Sequence, residues 1–113
     1  MENFEERWEK VEDTLQKRFD KEPDVKAILF IIGLRELGTK KNKFSKEEKQ
    51  DLMNLAFCRI SSKDGYFDID HLDGDGLPIY KQVKPLPPMN QKEQEQFIME
   101  NIIHYFEEEG LIS

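Results

Sequence analysis

Residues 63–84 read KDGYFDIDHLDGDGLPIYKQVK, and this stretch decides the fold. Elsewhere apolar residues recur at helical spacing; here they alternate with polar ones, and aspartates gather around glycines. In 66–72, Phe67, Ile69 and His71 alternate with Asp68 and Asp70, and in 77–83, Leu77, Ile79 and Val83 alternate with Tyr80 and Gln82. A β-strand turns successive side chains to opposite faces, so both runs predict strands with their odd-numbered residues inward. A loop of Gly74, Asp75 and Gly76, with Gly76 in the left-handed conformation, joins them into a hairpin over 66–83. This register pairs His71 with Ile79 and Phe67 with Val83. On the outer face it sets Asp68 opposite Gln82, Asp70 opposite Tyr80, and Tyr66 opposite Lys84. Pro85, Pro87 and Pro88 then hold the chain extended.

On both sides of the hairpin the pattern is helical. Over 3–20, Phe4, Trp8, Val11, Leu15 and Phe19 form one narrow apolar stripe, with acids near the start and Lys17 and Arg18 near the end, as the helix dipole favours. A second helix over 23–37 takes Pro23 as its first residue and Gly38 as its stop. Its centre, AILFIIGL, is apolar all round, which fits a buried helix, and Gly33 allows another element to approach closely. A third helix over 46–61 opens on a capping box of Ser45 and Glu48. Leu52, Met53, Ala56, Phe57 and Ile60 project to one side of it, and Cys58 lies on the opposite side with Asp51 and Asn54. The last helix, over 91–109, starts from Asn90 and Glu93 and ends at Gly110. Its apolar arc from Phe97 to Phe106 is wider than one neighbour needs.

The chain has 113 residues, which suits one domain over 1–113 with a single core. The predicted class is mainly α: four helices around one core, with the hairpin inserted between the third and fourth. A small α+β fold with a short strand in AILFII is the alternative. Net charge is −7, a field that repels phosphate backbones and anionic lipid, so neither nucleic acid nor a membrane is expected as a partner. One cysteine forms no internal disulfide, and the start MENFEERWEK carries charges where a secretory signal needs an apolar run, so the expected location is cytoplasmic.

Few residues suggest chemistry. Asp68, Asp70, Asp73 and Asp75 could gather around a hard cation. With Gly76 at the sixth position of a calcium loop, however, the first and twelfth ligands would be His71 and Gln82 rather than carboxylates. His104 has Glu100 and Glu108 four residues to either side, the spacing of a solvated helix face with favourable pairs. Cys58 has no histidine or cation near it in sequence to make it a nucleophile. These readings lead to a non-enzymatic interaction or adaptor module without a cofactor. Its contacts would come from Tyr66, Asp68, Asp70 and Tyr80 on the hairpin, or from Trp8, Met99 and Ile103 on the helices, with a homodimer through the first or last helix to cover the surplus apolar arc. The alternative is an accessory enzyme or a small-ligand or metal binder on the acidic hairpin, with Asp73 and Asp75 as the metal candidates.

Overall fold

A computed structural model describes residues 3–19, 24–38, 43–74 and 77–112. The elements run α1 (Phe4–Phe19), α2 (Val25–Leu37), α3 (Lys46–Ser62), β1 (Phe67–Leu72), β2 (Pro78–Gln82) and α4 (Gln91–Glu108). The architecture is the predicted one, four helices with an antiparallel hairpin between the third and fourth. AILFII is helical throughout, so the alternative strand there is not formed.

The helix ends follow from capping chemistry. Both predicted capping boxes are present: the side chains of Ser45 and Asn90 accept from the backbone N–H groups of Glu48 and Glu93, whose carboxylates accept from the cap N–H groups in return. Asn3 accepts from the Glu6 N–H at 2.9 Å and starts α1. Helix α2 begins at Val25, two residues later than predicted, because Asp24 provides the cap by accepting from the Ala27 N–H at 2.7 Å. The predicted role of Pro23 lies outside the described residues. Gly38 and Gly110, each with positive φ near 70°, follow α2 and α4 where the sequence places the stops.

The chain divides into two compact units, with the boundary inside α2. One comprises Met1–Ile28 and Met89–Ser113. Its buried side chains are Val11 and Leu15 from the α1 stripe, Ile28 from α2, and Ile102, Ile103, Tyr105 and Phe106 from α4. Arg7 donates from its Nη2 to Glu107 Oε1 at 2.7 Å, tying α1 to α4. The C-terminal part of the apolar arc of α4 is buried within the folded chain, whereas Phe97, Ile98 and Met99 are half-buried.

The other unit, Leu29–Pro88, contains most of α2, α3 and the hairpin. Its buried side chains include Leu29, Ile31 and Ile32 from α2 and Leu52, Ala56 and Ile60 from α3. Burying one such aliphatic side chain contributes about 1.5–3 kcal/mol. Gly33 permits the close crossing: a methyl added there would lie 2.8 Å from the Leu52 carbonyl carbon and nearer still to its oxygen. At the outer side, Arg59 Nε donates to Glu36 Oε1 at 2.9 Å.

The hairpin departs from the predicted register at one residue. His71 pairs with Ile79 as expected, but Ile69 pairs with Tyr80, Asp68 with Lys81 and Phe67 with Gln82, leaving Asp70 as the extra residue of a β-bulge. The predicted pairs Phe67 with Val83, Asp68 with Gln82, Asp70 with Tyr80 and Tyr66 with Lys84 are therefore replaced, the Val83 N–H donating instead to the Tyr66 carbonyl at 2.9 Å. Two anchors of opposite parity explain the slip. The loop is fixed by Asp73, whose N–H donates to the Leu77 carbonyl at 2.8 Å and whose side chain accepts from the Leu77 N–H at 3.0 Å. The far end is fixed by Phe67, whose ring meets Phe57 of α3 edge-on at 5.9 Å. In a straight ladder Tyr80 would sit on the solvent face; the bulge pairs it with Ile69 on the face of Phe67, where it is half-buried. Asp75 and Gly76 lie outside the described residues.

Candidate functional site

The bulge gives the Leu29–Pro88 unit a groove. One wall is an α3 stripe of Glu48, Asp51, Leu52, Asn54, Leu55 and Cys58; the other is Asp73 with Leu77, Pro78, Ile79 and Tyr80. Leu37 and Phe44 also line it. The volume is about 460 Å³, within the roughly 300–1,000 Å³ range of ligand sites. The stripe exists because α3 carries two adjacent apolar rows. Leu52, Ala56 and Ile60 point into the interior, while Leu55 and Cys58, three residues apart, continue round the helix and remain half-buried. The helix side that the sequence assigns to Cys58, Asp51 and Asn54 is thus a groove wall, on which Asp51 and Asn54 are exposed and Cys58 is half-buried. From the hairpin, Ile79 is 40 % exposed at the groove.

Apolar side chains dominate the lining, and its ionisable thiol and phenol are held neutral. Burial pushes the Cys58 thiol up, the opposite of what an activated nucleophile needs. Burial likewise raises the Tyr80 hydroxyl, helped by the charge of Glu36 and by Cys58 and opposed by Arg59. Glu48 accepts in the α3 cap and Asp73 in the hairpin loop, and with exposed Asp51 they place three acidic side chains in the lining. Tyr80 is also a wall of a second, more polar hollow of about 590 Å³ with Arg59, Ser62, Phe67, Asp68, Ile69 and Lys81.

The hairpin residues singled out from sequence do not converge. Asp68 and Asp70 are exposed, and Tyr66 is half-buried under the Lys84 ammonium, 4.5 Å from its ring centroid. Asp70 accepts from or shares a proton with His71 Nδ1 at 2.8 Å and lies 3.8 Å from Lys81 Nζ, contacts that hold its carboxyl below the ordinary range. Asp68 and Tyr80 share the second hollow, but Tyr66 and Asp70 do not line it, so Tyr66, Asp68, Asp70 and Tyr80 are not one polar cluster. Among the described residues no three His, Cys, Asp or Glu side chains are grouped to hold a metal ion; Asp73 closes the loop, and Asp75 is not described.

In the other unit, Trp8 is half-buried and stacked on Phe4, ring centroids 6.5 Å apart. Met99 is half-buried, whereas Ile103 is fully enclosed and offers nothing to a partner in the folded chain. Met89, Lys92, Glu93, Gln96, Phe97 and Glu100 border a hollow of about 470 Å³ on this unit. His104 is half-buried.

Sequence reasoning missed Leu55, Leu77 and Pro78 as groove residues. The available signal was Leu55, an apolar residue outside the inward stripe of α3 and three residues from both Leu52 and Cys58. No helix among the described residues is long and apolar enough to cross a membrane. No family model, curated protein or solved structure matches the chain.

Proposed function

We propose that this protein is a non-enzymatic interaction module whose docking site is the groove between α3 and β2. The observation that carries this reading is a groove of about 460 Å³ lined by Leu37, Phe44, Leu55, Leu77, Pro78 and Ile79, with Cys58 and Tyr80 uncharged in its walls. Apolar surface of this kind at the edge of a small unit gains free energy when a partner removes it from water. Interaction energy would concentrate on the aromatic and aliphatic centre, with the acids as a rim.

Peptides selected from a random library on the intact chain test the reading. Groove-directed peptides should lose binding to a Leu55→Ser/Ile79→Ser double variant and to chain alkylated at Cys58 with a bulky maleimide, both checked by circular dichroism for retained helix. Selected peptides that bind the parent and the blocked forms equally would place the interaction elsewhere and refute it.

A further inference from the structure

We infer that the occupant of the groove is a cationic amphipathic helix, a partner segment with an apolar stripe flanked by lysine or arginine. This rests on the groove being a docking site and adds the chemistry of what docks. Three observations narrow that chemistry.

The first is charge. Glu48, Asp51 and Asp73 are all acidic, and no lysine or arginine is among the described residues of the lining. Lys46 and Lys49 belong to the same helix but fall off the stripe that Glu48, Asp51, Leu55 and Cys58 define at intervals of three and four. The chain as a whole is at −7, so an approaching cation is attracted from a distance as well as at contact. Acidic side chains that satisfy a cap or a loop still present their charge to a partner's ammonium group.

The second is hydrogen bonding. An extended peptide brings a bare backbone whose N–H and C=O groups need partners. Among the described residues the lining offers side-chain donors only at Asn54, Tyr80 and the weak Cys58 thiol. A helix satisfies its own backbone and asks the groove only for apolar contact. The third is the strand edge. Pro78 begins β2 and lines the groove, and proline has no N–H to offer a pairing strand. Strand addition along this edge therefore lacks a donor where it would start, and helix docking by side chains does not need one.

The test uses three synthetic peptides of about 14 residues, each with leucines at helical spacing and the remaining positions filled with lysine, glutamine or glutamate. Each is titrated into the ¹⁵N-labelled intact chain and into the Leu55→Ser/Ile79→Ser variant. The lysine peptide should bind about tenfold more tightly than the glutamine peptide, the sum of a few exposed charge pairs. That advantage should shrink as salt rises from about 0.1 M to about 1 M and the screening length falls from about 10 Å to about 3 Å. Asp51→Asn together with Asp73→Asn, which keeps an acceptor for the loop, should reduce the advantage without abolishing binding of the glutamine peptide. Equal binding of all three peptides, lost in the groove variant, leaves the docking site standing and overturns its cationic preference. Tighter binding of the glutamate peptide overturns the preference too. No binding by any peptide, or lysine-peptide binding that the groove variant does not weaken, overturns both the preference and the helix-docking groove.

Discussion

Gly33→Ala should unfold the α2–α3 crossing at a lower temperature, even though alanine is the better helix former. At an uncrowded helical site the change is stabilising by up to about 1 kcal/mol, because glycine is that much less favourable than alanine in a helix interior. At Gly33 the added methyl meets backbone: the Leu52 carbonyl oxygen is closest, its carbon 2.8 Å away and the Leu52 Cβ 3.0 Å away. A carbonyl cannot swing aside as a side-chain tip can, so α2 and α3 must move apart. Overpacking of this kind costs about 1–3 kcal/mol, and backbone on backbone sits at the upper end. With the propensity gain subtracted, the net loss is about 2 kcal/mol. At about 4 °C per kcal/mol for a chain of this size, the melting midpoint should fall by about 8 °C.

Thermal melting followed by circular dichroism, repeated in urea, measures this directly. Leu52→Ala should not rescue Gly33→Ala, since the clash is with the main chain, and the double variant should be worse by the cost of the lost leucine. A midpoint that stays level or rises in Gly33→Ala would refute the close crossing, and with it the placement of Leu52 at the groove.

The Glu107 carboxyl should titrate below its ordinary value because of the hydrogen bond from Arg7, and Arg7→Gln should return it upward in a ¹³C NMR titration. The folded-state value is depressed, so the pair's small contribution to stability is present above the ordinary value of 4.5 and fades as pH falls through the lower folded value. Ser45→Ala removes one half of the α3 capping box and should cost about 1 kcal/mol, read as a midpoint about 4 °C lower; no change would mean the box is not formed in solution. Cys58 should react with iodoacetamide at neutral pH more slowly than the same residue in urea, because burial raises its thiol; equal rates would show a thiol outside the groove.

The parts of this fold legible in the sequence are those whose determinants are local. Ser45 with Glu48, and Asn90 with Glu93, encode helix starts within four residues, and the absent side chain of Gly33 announces a close neighbour without naming it. The start of α2 was misread because Pro23 and Asp24 both suit a helix entrance, and the aspartate's hydrogen bond to the Ala27 N–H sets the cap. The C-terminal part of the α4 arc was legible as apolar but not as enclosed. Periodicity counts faces, whereas Ile102, Ile103, Tyr105 and Phe106 are covered by elements far away in the chain. The groove was the least legible feature. Leu55 and Cys58 become a wall only when β2 stands opposite them, and nothing within α3 specifies that.

The hairpin bulge links these limits to the site. Both strands form where alternation places them, but their odd-numbered residues do not all turn inward: Ile69, Ile79 and Val83 are exposed and Tyr80 is half-buried, because the relation between the strands depends on two distant anchors, Asp73 at the loop and Phe67 on Phe57. Their parities disagree by one residue, and a strand has no means of sharing half a residue between its two faces. Asp70 absorbs the mismatch because its carboxylate has partners in solvent, His71 and Lys81, whereas an apolar residue squeezed out of the ladder would have none. The same slip turns Tyr80 from solvent to the α3 side and gives the groove its aromatic wall. An acidic residue that invites a reading as a metal ligand or binding contact therefore acts first on register, and through register on the surface where a partner helix would rest.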